Sequence, residues 1–243
     1  MADPIKQFVI KPIVPLEVAG YDLSFTNSSL WMAIAVITVC TFFIAATRKK
    51  ALLPGRMQSF AEIMYEFVAG MIRENTGPEG KRYFSVIFTV FIVVLMGNVL
   101  GLIPYSFTYT SHIIVTALLA MLVFVMVTIF GIVNHGTKFF TLFAPSGVPL
   151  LLQFFIVPIE LLSFLIRPVT LSVRLFANMV AGHTVIYALL GLIIVLGSAY
   201  VGFFSVPLAI AINFLELFVA FLQAFIFVML TALFIGMAAH PDH

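Results

Sequence analysis

Glu160, Arg167 and Arg174 in one apolar stretch and Glu216 in the next are the charges this sequence places where none belongs. Ten of the twelve basic residues and eight of the ten acidic ones lie instead in connecting segments, near the ends or on one polar helix. A charge at the middle of a membrane helix costs about 2.5–3.5 kcal/mol on insertion scales. Four such groups must face water, one another or a partner. Gln153, Glu160, Arg167 and Arg174 recur every seven residues. Seven helical steps of about 100° return to within about 20° of the start, so the four form one stripe. Ser163, Thr170 and Asn178 extend it at intervals of three or four, and Asn213, Glu216 and Gln223 repeat the pattern on the following stretch at offsets of three and seven. The chemistry open to such a set is ion movement, above all of protons. Carboxylates take up and release them, whereas a guanidinium stays charged at physiological pH and shapes the field around it.

The plain alternative is that these groups only tie helices together, at about 0.6 kcal/mol per hydrogen bond. That reading suits Ser163 and Thr170 and is an even match for Gln153 and Asn213. It accounts poorly for Arg174 and Glu216, because a serine or asparagine would tie helices at lower cost. Arg167 is intermediate, since a long side chain can reach out to the interface. His183 lies nine residues beyond Arg174, about 180° round the helix. The two cannot serve one surface: Arg174 is expected to face one partner and His183 the other helix of a pair. Histidine titrates near neutrality, which suits a proton-handling position, although a lone helix histidine also serves as a packing residue. Small Ala181 and Gly182 beside it permit close approach. His135, His240 and His243 fall in loops or the tail and carry no role.

The elements that position these residues must be membrane helices. The composition is 63% hydrophobic and 9% charged with a mean hydropathy of +1.19, against roughly 25% charge in a soluble domain. A net charge of +2 gives no footing for nucleic acid. Cys40 is the one cysteine and sits in an apolar run, so neither a disulfide framework nor a thiolate metal site is expected. No cofactor and no metal site are expected. The start, Met1-Ala2-Asp3-Pro4-Ile5-Lys6, lacks the pattern of a cleavable signal, so the first span is expected to act as its own insertion signal.

A hydrocarbon core of ~30 Å needs about 20 apolar residues. Spans are expected at about Ser29–Ala46, Tyr83–Ile103 and Ile113–Val133. Residues 57–74 differ: Phe60, Ile63, Met64, Phe67, Val68 and Met71 recur at helical spacing while Glu62, Glu66, Arg73 and Glu74 lie elsewhere, the pattern of an amphipathic helix on the membrane surface. Beyond Val148 come two apolar stretches much longer than an upright span requires, to about Leu190 and from Phe203 to Ala239, joined by a connection at Gly191–Gly202. They are expected to form a tilted antiparallel hairpin over residues 148–239. The fold class is thus an all-α integral membrane protein with five crossings and one interfacial helix. Residues 1–243 form a single membrane domain, of which 1–28 are an external amino-terminal segment.

Arg48, Lys49, Lys50, Arg56, Arg73, Lys81, Arg82 and Lys138 fall on one side of this arrangement, and the Pro104–His112 loop has neither Lys nor Arg. The positive-inside bias then puts the amino terminus outside and the carboxyl terminus inside. Tyr105, Tyr109 and His112 stand at the outer boundary as an interfacial aromatic belt.

Arg174-Leu175-Phe176-Ala177-Asn178-Met179-Val180-Ala181-Gly182-His183 and Leu222-Gln223-Ala224-Phe225-Ile226-Phe227 resemble the signatures of subunit a of the rotary F-type ATP synthases. Asn98-Val99-Leu100-Gly101-Leu102-Ile103-Pro104-Tyr105-Ser106-Phe107 resembles a third typical stretch of that family. The resemblance implies that Arg174 faces a ring of c subunits, that Asn178 and Gln223 flank it, and that Glu160 serves the cytoplasmic passage. It implies peripheral-stalk b subunits as further partners. The location would be a bacterial cytoplasmic membrane, with the mitochondrial inner membrane as the other setting. Many bacterial relatives carry glutamate at the position of His183 and histidine at that of Glu216; the exchange here is that of the mitochondrial-type branch. No role carries over for Gly101.

On that basis the chain is expected to be a non-catalytic stator subunit offering two half-channels that do not meet. His183 and Glu216 belong to the outer passage, and Glu160 with Ser163 to the inner one. Glu160 stands ~21 Å along the helix from Arg174. No P-loop is present to hold nucleotide. Other classes fit less well. A haem protein would need paired histidines within its spans, a secondary transporter would show repeats, and a passive scaffold would not require Arg174.

Overall fold

The structure is a computed structural model that describes residues 8–15, 17–18, 21–22, 24–48, 54–103, 106–136, 139, 149–197 and 199–239. Its helices are α1 (Asn27–Thr47), α2 (Arg56–Thr76), α3 (Phe84–Gly101), α4 (Ile113–His135), α5 (Leu150–Leu196) and α6 (Ala199–Ala239). All but α2 are long and apolar enough to cross a membrane, so the fold is the expected all-α membrane architecture. At ~1.5 Å per residue α1 spans ~31 Å, close to one hydrocarbon thickness, whereas α5 and α6 reach ~70 and ~61 Å.

Four of the helix boundaries have a local cause in view. Thr26 Oγ1 accepts from Ser29 N–H at 3.3 Å, capping the first turn of α1. Positive φ at Gly77, Gly136 and Gly197 marks the ends of α2, α4 and α5. The Gly197 N–H bonds the Ile193 carbonyl at 3.0 Å, closing α5. The connection expected at Gly191–Gly202 is therefore far shorter: α5 runs to Leu196 and α6 starts at Ala199. Gly191 and Gly202 are absorbed into helix, and only Gly197 adopts the left-handed backbone that reverses the chain. Pro158 and Pro168 lie inside α5 and Pro207 inside α6. Pro168, to which the sequence reading gives no weight, brings no N–H of its own to the helix ladder.

Among the described residues four short strands precede α1, a feature the sequence reading does not anticipate. β1 (Pro12–Val14) pairs antiparallel with β4 (Phe25–Thr26), and β2 (Glu17–Val18) with β3 (Tyr21–Asp22). Asn27 ties this segment down: its side chain accepts from Lys11 N–H and donates to the Val9 carbonyl.

The chain forms two compact units. The first comprises Met1–Phe42, Val93–Thr116 and Arg174–Ala224. Its small core groups buried Ala35, Phe107 and Tyr109 with Trp31, Met32, Leu100 and Val115. Tyr109 thus leaves the expected aromatic belt and turns inward. Its hydroxyl occupies the space a side chain at Gly97 would fill. His112 also turns in, stacking on Phe107 at 5.3 Å, while Tyr105 is outside the described residues.

The second unit comprises Phe43–Ile92, Ala117–Val173 and Phe225–His243. Phe67 of α2 packs on Phe91 and Phe225, and Phe164 of α5 on Phe124. Thr76, at the end of α2, donates to the Ala232 carbonyl at 3.0 Å. Gly236 lets the Asn75 carbonyl approach α6 where any Cβ would collide. Of the apolar face expected on α2, Val68 and Met71 are buried, whereas Phe60 and Ile63 stay exposed. Lys49, Lys50 and Lys138, part of the basic set used for orientation, lie outside the described residues.

Candidate functional site

On α5 the buried side chains Phe164, Leu171, Leu175 and Met179 follow helical spacing down one face. The polar stripe runs beside it. Arg174 is exposed, and no described residue pairs with it. Ser163 is also exposed. Thr170 turns its hydroxyl back to the Arg167 carbonyl at 2.9 Å, so it ties no second helix. Arg167 reaches Glu160 at 3.8 Å, both partly exposed. Gln153 lines a shallow recess with Leu151, Phe154, Val157 and Pro158.

On α6 the stripe is turned the other way. Glu216 and Gln223 are buried at 4% and 1% exposure, on the same face as small Ser205, Ala209 and Ala220. The Glu216 carboxylate presses on Gly182 of α5, so closely that a Cβ there would overlap it. Ile193 meets Gly202 near the hairpin tip, which makes the pairing antiparallel. About two turns further along that register, Gln223 comes level with Arg174.

His183 leaves the buried face on the side opposite Arg174, as nine-residue spacing requires. Its Nε2 lies 3.3 Å from Thr108 Oγ1, in the segment after α3, and its ring meets the Phe8 ring edge-on at 6.4 Å. His183 therefore faces this segment rather than α6 alone. A cavity of about 350 Å³ brings His183, Glu216 and Asn213 together, with Tyr187, Thr108 and Ser106 also in its wall. The expected pair thus shares one chamber, while the direct contact to Glu216 is made by Gly182. Both Glu216 carboxylate oxygens, Asn178 Nδ2 and Gln223 Nε2 are buried without a hydrogen-bond partner. They descend along the α5–α6 seam from the cavity towards the level of Arg174. Such a row of unsatisfied groups is where ordered water is retained. Sequence reasoning missed Thr108 and Ser106; nothing in local spacing could have found a partner 75 residues from His183.

The fold and site define a class: a helical integral membrane protein with protonatable groups around an internal cavity and a lone cation on an exposed helix flank. Residues 29–236 match the ATP synthase A chain family. The ATP synthase subunit a of Rhodospirillum rubrum is 50% identical over 236 residues, covering 97% of this chain and 98% of that one. Those of Mesorhizobium japonicum and Paramagnetospirillum magneticum are 48% and 46% identical over 99% of this chain, covering 98% and 99% of their own lengths. The chain belongs to the ATP synthase A chain family, and with it to the proton-transporting membrane sector of that enzyme.

Proposed function

We propose that the chain is the stator element that carries protons through two offset aqueous half-channels joined only by a rotating ring of c subunits. The carrying observation is Arg174: a permanent cation, exposed on an apolar helix with no partner among the described residues, level with the end of a row of unsatisfied polar groups. An open water path would discharge the membrane. A fixed guanidinium blocks free cations and attracts an ionised rotor carboxylate. Beside Arg174 that carboxylate gives up its proton, and facing lipid it must be neutral. Each proton crossing 100 mV releases about 2.3 kcal/mol, which drives the rotor in the sense set by which passage loads it.

The cavity at His183, Asn213 and Glu216, continued by Asn178 and Gln223, forms the outer passage. Glu160 and Ser163, with Arg167, Thr170 and Gln153 alongside, form the inner one. Residues 1–243 act as one membrane domain, and ATP chemistry resides in other subunits. Peripheral-stalk b subunits hold the chain still. The membrane is the bacterial cytoplasmic membrane, with the amino terminus outside and the carboxyl terminus inside. Ile103 and Met57 are exposed and report the orientation: Ile103→Cys should react with an impermeant reagent from outside and Met57→Cys only from inside. The reverse pattern would invert the passages. The decisive test is Arg174→Ala in reconstituted complex. ATP-driven proton pumping should vanish with the subunit still inserted, and normal vesicle acidification would sink the proposal.

A further inference from the structure

Thr108 is a buried residue whose hydroxyl meets two groups. Its Oγ1 lies 3.3 Å from the Gly101 carbonyl oxygen and 3.3 Å from His183 Nε2. A hydroxyl carries a single proton, and a carbonyl can only accept. With the proton donated to Gly101, the oxygen offers only a lone pair towards His183. We propose that Thr108 is a positioning residue for proton passage: it holds His183 as the Nε2–H tautomer and leaves Nδ1 as the atom that exchanges protons in the cavity. This inference rests on the reading of His183 as part of the outer passage.

The surroundings fix Thr108 in that role. Its carbonyl accepts from both the hydroxyl and the amide of Ser111, at 2.5 and 3.1 Å, which locks the backbone. A Cβ on residue 101 would stand 2.8 Å from Oγ1 and 2.6 Å from Cγ2 of Thr108, so the hydroxyl fits only because residue 101 is glycine. Ser106 Oγ donates to the same Gly101 carbonyl at 3.1 Å, filling its second lone pair. Nδ1 has no partner among the described residues. Among the described residues, the titratable groups that share the cavity wall with His183 are Glu216 from α6 and Tyr187 from α5, with the Phe8 ring edge-on to the imidazole from the amino-terminal segment. Nδ1 takes a proton from cavity water, making an imidazolium. Nε2 keeps its own proton against an oxygen whose hydrogen is already committed. The proton released to water or to the Glu216 carboxylate is then the one on Nδ1, and the neutral Nε2–H ring is restored.

The test uses the whole reconstituted complex with ¹⁵N-labelled histidine, the His183 signal being identified by its loss in His183→Gln. Wild type and Thr108→Ser should show the Nε2–H tautomer. Thr108→Val should show a mixture, a roughly five-fold lower proton flux and a displaced pH profile of flux. Gly101→Ala, which pushes the hydroxyl away, should reproduce the Val result from a different position. An Nδ1–H signal in wild type would overturn the inference even if Thr108→Val failed to assemble. So would an unchanged tautomer and pH profile in Thr108→Val. Normal pumping by His183→Gln would instead remove the reading of the outer passage, which separates the two failures.

Discussion

The two compact units treat buried polar groups in opposite ways. In the unit of Met1–Phe42, Val93–Thr116 and Arg174–Ala224, Asn98, Thr110, His112, Asn178, Glu216 and Gln223 all keep buried atoms without partners. In the other, among the described residues, no such atom occurs. There buried Thr76 reaches Ala232 and half-buried Asn75 turns back on its own helix. A buried polar atom left unsatisfied costs about 1–3 kcal/mol, too much to repeat over six residues in a marginally stable protein. Such atoms in the first unit call for water as their partner, whereas the second is held by aromatic packing and closed hydrogen bonds. The division is one of buried polar chemistry, left open in one region of the chain and closed in the other.

Mutations can break that division or sharpen it. The largest effect belongs to Arg174: alanine should abolish pumping, and Arg174→Lys should cut it severely, since an ammonium lacks the planar fork and can lose its proton when desolvated. The same small change at two glycines then separates the units. Gly182→Ala forces a methyl into the Glu216 carboxylate and should lower flux at least ten-fold per assembled complex. Gly236→Ala meets the Asn75 carbonyl instead and should lower the yield of assembled complex while sparing flux per complex. Next comes the His183–Glu216 pair. His183→Glu and Glu216→His should each depress flux, and the double exchange should recover part of the loss; simple multiplication of the two losses would make the residues independent.

Smaller still is Arg167→Gln. The Glu160 pair is long and partly exposed, and such pairs are worth about 0–1 kcal/mol, so flux should fall less than about five-fold. The smallest effect at neutral pH is that of Tyr109, which lies outside the spans. Burial pushes its phenol up from 10.0 to about 12. The fold's advantage from the neutral phenol is whole below the unfolded value and is lost as pH rises through the folded one. Thermal stability should decline between about pH 10 and 12 in wild type, and Tyr109→Phe should flatten that decline.

What local periodicity encodes was legible. The five spans, the amphipathic α2, the seven-residue stripe and the opposition of Arg174 and His183 all follow from spacing along a single helix. What depends on contacts between distant segments was not. Thr108 meets His183 across 75 positions, and Tyr109 turns inward because residue 97 is a glycine with space beside it. The hairpin connection is expected too long for a related reason: three glycines punctuate that stretch, and only the backbone angle at Gly197 tells which one reverses the chain. The strands before α1 depend on pairing between segments too short to announce themselves.

That tight reversal bears on how the protein enters the membrane. α5 ends at Leu196 and α6 begins at Ala199, so no hydrophilic stretch separates two helices that together exceed two bilayer thicknesses. No Lys or Arg follows Arg174, which removes the usual signal for keeping a helix end on the cytoplasmic side. We expect the pair to enter the bilayer as one closed loop, its direction set by the basic residues that precede it in the chain.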